Sequence, residues 1–207
     1  MRISQQAKQE NRNKILKIAM ELFVNKGFED TTTRDVAQAT GMATGTLFNY
    51  FPSKETLAMH MVRRALQQGY KDYKQRKIGN ESLNEELYLF IFSGLRKLKP
   101  YHSFLGPVFE RSLSPFPRKT LCMEGEITKQ NHLHAVTHII NSHGFDMSEN
   151  TMISTMYWSV YLGILAFWVN DESPKQQESH AFIDYALHFF VQAISGTELN
   201  LGINNAK

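Results

Sequence analysis

The chain has a single cysteine, Cys122, among its 207 residues, so an internal disulfide framework is excluded and a reducing compartment is expected. Its first residues, MRISQQAKQENRNK, hold no apolar core, which excludes a secretory signal there. No series of alternating apolar and polar runs is present, so strands are not expected. Charge is missing from residues 150–170, NTMISTMYWSVYLGILAFWVN. That stretch is long enough for a membrane span, but Ser, Thr and Asn interrupt it and Asp146, Glu149, Asp171 and Glu172 stand at its ends. No Lys or Arg flanks it closely, so the usual orientation signal is absent. A helix buried on all sides, in a soluble cytoplasmic chain, is the expectation.

What the chain does carry is a charge split. Residues 1–77 hold 14 Lys and Arg against seven Asp and Glu, a net of +7, and the remainder holds nine against 13, a net of −4. A basic N-terminal module beside a neutral-to-acidic body suits a polyanionic partner for the first part. Helix signals are frequent. Ile15, Ile18, Ala19, Leu22 and Phe23 fall on one helical face that Gly27 stops. Thr32 or Thr33 caps a short second helix with Asp35 in its first turn, Gly41 breaks it, and ATGTLFNY forms a third. Ser53 caps a fourth with Leu57, Met61, Ala65 and Leu66 inward.

A polar break at 77–82 precedes a capping box, Ser82 with Glu85, and a helix ending before Pro100. Residues 101–117, with three prolines and a glycine, read as short helical pieces and turns. A long helix is expected from about 118 to Gly144, and the uncharged helix from Asp146 or Ser148 to Asn170. A second capping box, Ser173-Pro174-Lys175-Gln176, leads the last helix, whose seam of Ile183, Leu187, Phe190 and Ile194 is closed by Gly196. The expected fold is all-α with about nine helices.

Residues 31–51, TTTRDVAQATGMATGTLFNYF, meet the requirements of a helix-turn-helix: two short helices, a glycine turn and apolar braces. Val36, Ala37, Met42, Leu47 and Phe51 have inward roles. Ala43, Thr44, Gly45, Thr46, Phe48, Asn49 and Tyr50 then face outward. Thr and Asn bond base edges or phosphates, Tyr reaches a phosphate oxygen, and Ala or Phe touches a thymine methyl. Gly45 lets the helix backbone lie close to the groove wall.

The pattern T-T-R-D-V-A-x-x-x-G-M-x-x-G-T-L-F-x-Y-F-P-S-K-E-x-L, extended by ILKIAMELFVNKGFEDTTTRDVA before it, resembles the helix-turn-helix signature of TetR-family transcriptional regulators over about residues 11–66. The resemblance implies phosphate and occasional base contacts from Thr32, Thr33 and Arg34. It implies recognition-helix contacts from Thr44, Gly45 and Asn49, and a phosphate or base contact from Tyr50. Lys54 matches a phosphate-contacting lysine at the start of the fourth helix. Two positions depart from the family habit: Phe48 stands where tyrosine is usual, and Ala43 where a serine commonly caps the recognition helix. The expected organisation is a DNA-binding domain at 11–71, with three helices around the helix-turn-helix, and a helical effector-binding and dimerisation domain at 72–197. The resemblance further implies a homodimer through the last two helices, a palindromic double-stranded DNA operator and a small-molecule effector. Phe104, Phe109, Tyr157 and Tyr161 are candidate pocket residues.

His132, His134, His138 and His143 fall within twelve residues, but no HExxH pattern and no completing Cys or carboxylate accompany them, so no metal and no cofactor are expected. Cys122 lies beside Met123 and near Glu124 and Glu126, surroundings that do not mark an activated thiol, so catalysis from it is not expected. The expected function is a ligand-responsive regulator, most simply a repressor and not an enzyme. The rival readings are a constitutive DNA-binding protein without effector and a metal-dependent enzyme built on the histidine cluster.

Overall fold

The computed structural model describes residues 4–116, 122–147 and 151–201. Among them are nine α-helices and no strand: α1 Gln5–Lys26, α2 Thr33–Thr40, α3 Thr44–Tyr50, α4 Lys54–Arg76, α5 Leu83–Leu98, α6 His102–Leu113, α7 Met123–Ser142, α8 Thr151–Asn170 and α9 Gln177–Leu201. Two 3-10 turns, Lys99–Tyr101 and Pro174–Gln176, precede α6 and α9. The expected helix starts near residue 118 and at Ser148 lie outside the described residues.

The chain divides into two compact units, one of Met1–Gln67 with Lys97–Lys129 and one of Gln68–Arg96 with Gln130–Lys207. In the first, Ile15, Ala19 and Phe23 of α1 are buried as the periodicity requires, together with Val36, Ala37, Leu47, Phe51 and Leu57. Phe23 meets Phe28 edge-on at 5.2 Å and Phe104 of α6 at 5.3 Å, so α6 closes this core. α1 starts earlier than its apolar face: Ser4 accepts the Ala7 N–H at 3.1 Å, and ten polar or small residues then run helically before Ile15.

α6 is a single 12-residue helix through Pro107, where separate pieces and turns were expected. Proline removes one backbone donor and costs about 3 kcal/mol in a helix interior. Burial of Phe104, Leu105, Val108, Phe109 and Leu113 along one face outweighs that cost.

In the second unit α8 and α9 pack along Tyr157, Ile164 and Trp168 against Ile183, Leu187, Phe190 and Ile194, all nearly inaccessible. The box expected at Ser173–Gln176 does not form, because Lys175 and Gln176 have positive φ, 57° and 58°. Asp171 and Ser173 share the capping of α9: Asp171 Oδ1 accepts the Ser173 N–H at 2.8 Å, Oδ2 accepts the Ser179 N–H at 2.7 Å and hydroxyl at 2.5 Å, and Ser173 Oγ accepts the Glu178 N–H at 3.1 Å. The buried carboxylate, with three donors, is the stronger acceptor of the two. Gly196 does not end α9, which continues to Leu201.

α4 and α5 cross at Gly69 and Gly94. A Cβ on Gly69 would lie 2.7 Å from Gly94 Cα and 2.8 Å from Ser93 O, backbone atoms that cannot swing aside. Gly69→Ala is therefore expected to lower stability by roughly 1–3 kcal/mol despite alanine's better helix propensity. The check is a lower urea midpoint with an unchanged slope.

Candidate nucleic-acid interface

α2 opens on a reciprocal cap. Thr32 Oγ1 accepts the Asp35 N–H at 3.1 Å, and Asp35 Oδ2 accepts the Thr32 N–H at 2.8 Å. The Lys26 ammonium, 2.8 Å from the same oxygen, and the Thr32 N–H hold the Asp35 carboxyl down at about 2. The helix closes at Gly41 with φ 70°, where the Met42 N–H donates to Ala37 O at 2.9 Å and the Gly41 N–H to Gln38 O at 3.1 Å. That left-handed residue makes the bend into α3.

Leu47 and Phe51 are fully buried and hold α3 against the core. α3 begins at Ala43 with no side-chain cap, so the alanine found where a serine is usual leaves the first N–H groups open. Gly45, Thr46, Phe48 and Asn49 are exposed, and Thr44 and Tyr50 are half-buried. Phe48 is 44% exposed, a large apolar group left partly open to solvent. A Cβ added to Gly45 would meet nothing within 4 Å. The chain's own packing therefore does not require glycine there.

At the start of α2, Thr33 is half-buried and Arg34 is exposed. Lys54 Nζ donates to Phe28 O at 2.7 Å and Glu29 O at 3.0 Å, and lies 4.5 Å from the Phe28 ring centroid. Lys14 Nζ donates to Thr40 O at 2.9 Å, and the Arg12 guanidinium sits 4.5 Å from the Phe51 ring centroid. Carbonyls and ring faces fix these cations without cancelling their charge. The positive charge thus sits on residues around α3 and not on it. Arg12, Lys14 and Asn11, whose Nδ2 donates to Tyr50 Oη at 3.2 Å, were not singled out by sequence. They lie in a polar stretch without periodicity, and only their position one turn ahead of Ile15 hints at a role.

In the second unit, His132 is buried in aromatic surroundings. Its ring stacks on Tyr161 at 3.9 Å and meets Phe90 at 5.0 Å, and Nε2 bonds Tyr157 Oη at 2.9 Å. His143 Nε2 lies 2.7 Å from Glu86, a buried carboxylate also held by Lys77 and Tyr73. Burial raises the Glu86 carboxyl, but these three donors carry it below the usual range. His134 and His138 are exposed. Among the described residues no group of three His, Cys, Asp or Glu side chains could hold a metal ion. Of the candidate pocket residues, Tyr157 and Tyr161 belong to this aromatic cluster, while Phe104 and Phe109 are buried on α6, Phe104 against Phe23.

Burial pushes the His132 imidazole down to about 3. The unfolded chain, with a histidine near 6.5, binds the proton first. Stability is therefore complete above pH 6.5 and falls as the pH drops from there toward 3. His60, lowered by burial and then by Arg12, adds a slope of the same sign. His132→Gln, which keeps a partner for Tyr157, is expected to flatten the decline in urea midpoint between pH 7 and 5, and equal slopes in both proteins would refute this.

α8 is long and apolar enough to cross a membrane by length and composition alone, and it is not buried on all sides. Ile153, Tyr157, Trp158, Tyr161, Ile164, Leu165 and Trp168 face inward. Met152 (69% exposed) and Phe167 (36%) on α8 and Tyr185 (64%) and Phe189 (57%) on α9 remain open. Phe167 stacks on Phe182 at 4.5 Å, and Tyr185 meets Phe189 at 5.1 Å.

A helix-turn-helix with a slim, uncharged outer face in a basic surround defines a class of DNA-binding protein. Residues 15–61 match the family model for bacterial regulatory proteins of the tetR family, and residues 86–207 match that for the tetracyclin repressor-like C-terminal domain. The chain belongs to the TetR family of transcriptional regulators. It is similar to the transcriptional repressor KstR2 of Rhodococcus jostii, 36% identical over 64 residues, 31% of either chain. It is also similar to the regulator QacR of Staphylococcus aureus, 28% identical over 79 residues, 38% of this chain and 42% of that one. These matches span less than half the length of those relatives. Fold likeness extends further: a TetR regulator from Nitrosomonas europaea aligns at TM-score 0.66 and 16% identity, over 87% of this chain and 98% of that one. Thermus thermophilus FadR, a TetR-family repressor in complex with lauroyl-CoA, aligns at TM-score 0.67 and 19% identity, over 87% and 93%.

Proposed function

We propose that this chain is a ligand-responsive repressor, a cytoplasmic homodimer that binds a palindromic DNA operator and is released by a small, largely apolar effector. The observation that carries the reading is the outer face of α3: small, polar and aromatic groups held out by buried Leu47 and Phe51, with a glycine that nothing in the chain requires. Thr32, Thr33, Arg34 and Lys54 meet phosphates. Thr44, Gly45, Thr46, Phe48, Asn49 and Tyr50 meet the groove and its edges. Residues 11–71 form the DNA-binding domain and residues 72–197 the effector-binding and dimerisation domain.

The open apolar face of α8 and α9 supports dimerisation through these helices, since a second copy covers Phe189, Tyr185, Phe167 and Met152. A two-fold dimer places two copies of α3 in successive major grooves. For the effector, two pairs of side chains are assigned, Phe104 and Phe109 on α6 and Tyr157 and Tyr161 on α8. The ligand lowers DNA affinity by favouring a conformation that binds DNA poorly. Selection of duplexes from a random-sequence library by the purified protein tests the DNA reading, and failure to enrich any sequence contradicts it. A thermal-shift screen of apolar compounds separates an effector-gated regulator from a constitutive DNA binder, because only the former is stabilised.

A further inference from the structure

The geometry points to Asn11 of α1 as a positioning residue that fixes the Tyr50 hydroxyl for donation to a DNA phosphate. The inference rests on the reading above that Tyr50 meets the DNA backbone. A phenol hydroxyl has one proton to give and lone pairs that accept. Asn11 Nδ2 donates to Tyr50 Oη at 3.2 Å across 39 residues of sequence, which occupies a lone pair and leaves the hydroxyl proton available. A phosphate oxygen is the acceptor best matched to it, since a hydrogen bond to an anion is shorter and stronger than a neutral one.

Tyr50 is the last residue of α3 and half-buried, so without a tether its ring would lose rotamer freedom on binding. The adjacent pair repeats the arrangement. The Arg12 guanidinium lies over the ring of Phe51, and its Nη2 is 3.5 Å from His60 Nδ1. Consecutive side chains of α1 thus hold consecutive residues at the end of α3. Lys14, bonded to Thr40 O, fixes the end of α2 from the same helix. The recognition segment is set by polar side chains of α1 as well as by its apolar anchors.

The probe is a duplex selected from a random library by the wild-type protein, with single phosphates replaced in turn by uncharged methylphosphonate. Tyr50→Phe is expected to weaken binding about tenfold and Asn11→Ala about fivefold, with the double variant no weaker than Tyr50→Phe. One methylphosphonate position that weakens the wild type is expected to leave Tyr50→Phe unaffected and to affect Asn11→Ala less. Asn11→Asp, which offers only acceptors and takes the phenol proton, binds more weakly than Asn11→Ala. Losses that multiply in the double variant overturn the positioning role and leave the Tyr50 contact standing. A Tyr50→Phe variant that binds like wild type removes the contact and the positioning role together.

Discussion

Gly45→Ala raises the melting temperature and weakens DNA binding at the same time. The stability gain follows from helix propensity, about 1 kcal/mol for replacing glycine by alanine. The added Cβ enters open space, so no packing loss offsets it. For a chain of this size that gain corresponds to roughly 2–4 °C. The binding loss follows from the same open space, because it is where the groove wall is expected. A methyl group there is expected to push α3 outward and to lengthen together the bonds proposed from Thr44, Thr46 and Asn49. The loss is expected to be about tenfold or more, which is 1.4 kcal/mol per factor of ten. Opposite signs in one variant separate a DNA role from a folding role. If Gly45→Ala gained stability and bound the selected duplex with unchanged affinity, the glycine would have no part in recognition.

The second large effect is expected from Phe189→Asp. Phe189 is 57% exposed within the chain, so its loss costs little of the internal core. In the proposed dimer it stands with Tyr185 on the face that a second copy covers, and a carboxylate there would be desolvated without a partner. Sedimentation should report monomer at concentrations where the wild type is a dimer. Affinity for the palindromic duplex should fall by about two orders of magnitude or more, because each half-site then binds without help from the other. Binding to a single half-site should change little. A Phe189→Asp protein that remained dimeric would refute the assignment of this face.

Local chemistry made much of this legible beforehand. The α2 cap, open between Thr32 and Thr33 in the sequence, falls to Thr32, with Asp35 completing a reciprocal pair that its first-turn position only hinted at, while the Gly41 break and the Ser82–Glu85 box appear as read, the Ser82 N–H 2.8 Å from Glu85. The buried α9 seam followed from periodicity in the same way. The failures share a different cause. The first turns of α1 carry no apolar face, so periodicity could not show them. α6 runs through Pro107 because long-range burial overrides a local breaker, and the α9 cap is shared by Asp171 and Ser173 across a longer span than the four-residue box, because positive φ at Lys175 and Gln176 delays the helix start. The outward and inward faces of α3 were legible from its spacing, with Leu47 and Phe51 buried and Gly45, Thr46, Phe48 and Asn49 exposed, whereas the support from α1 was opaque. Nothing in the sequence places Asn11 beside Tyr50.

The same contrast governs the electrostatics. Sequence counting located the excess charge in residues 1–77, but not its anchoring. Lys54 is tied to two carbonyls of the segment before α2, so its removal has a structural effect as well as an electrostatic one. Arg34 is the exposed cation at the start of α2, and its replacement reads phosphate attraction more cleanly. Loss of such a contact lowers the salt dependence of binding by about one phosphate's share.

The central claim is that α3 lies in the major groove at two symmetric half-sites. Dimethyl sulfate protection of guanine N7 on the selected duplex tests it most directly, because that atom lies in the major groove. The expected result is two protected patches centred about one helical turn, or a multiple of it, apart, both weakened by Gly45→Ala. Binding with no N7 protection, or protection unaffected by any substitution on α3, would contradict the claim.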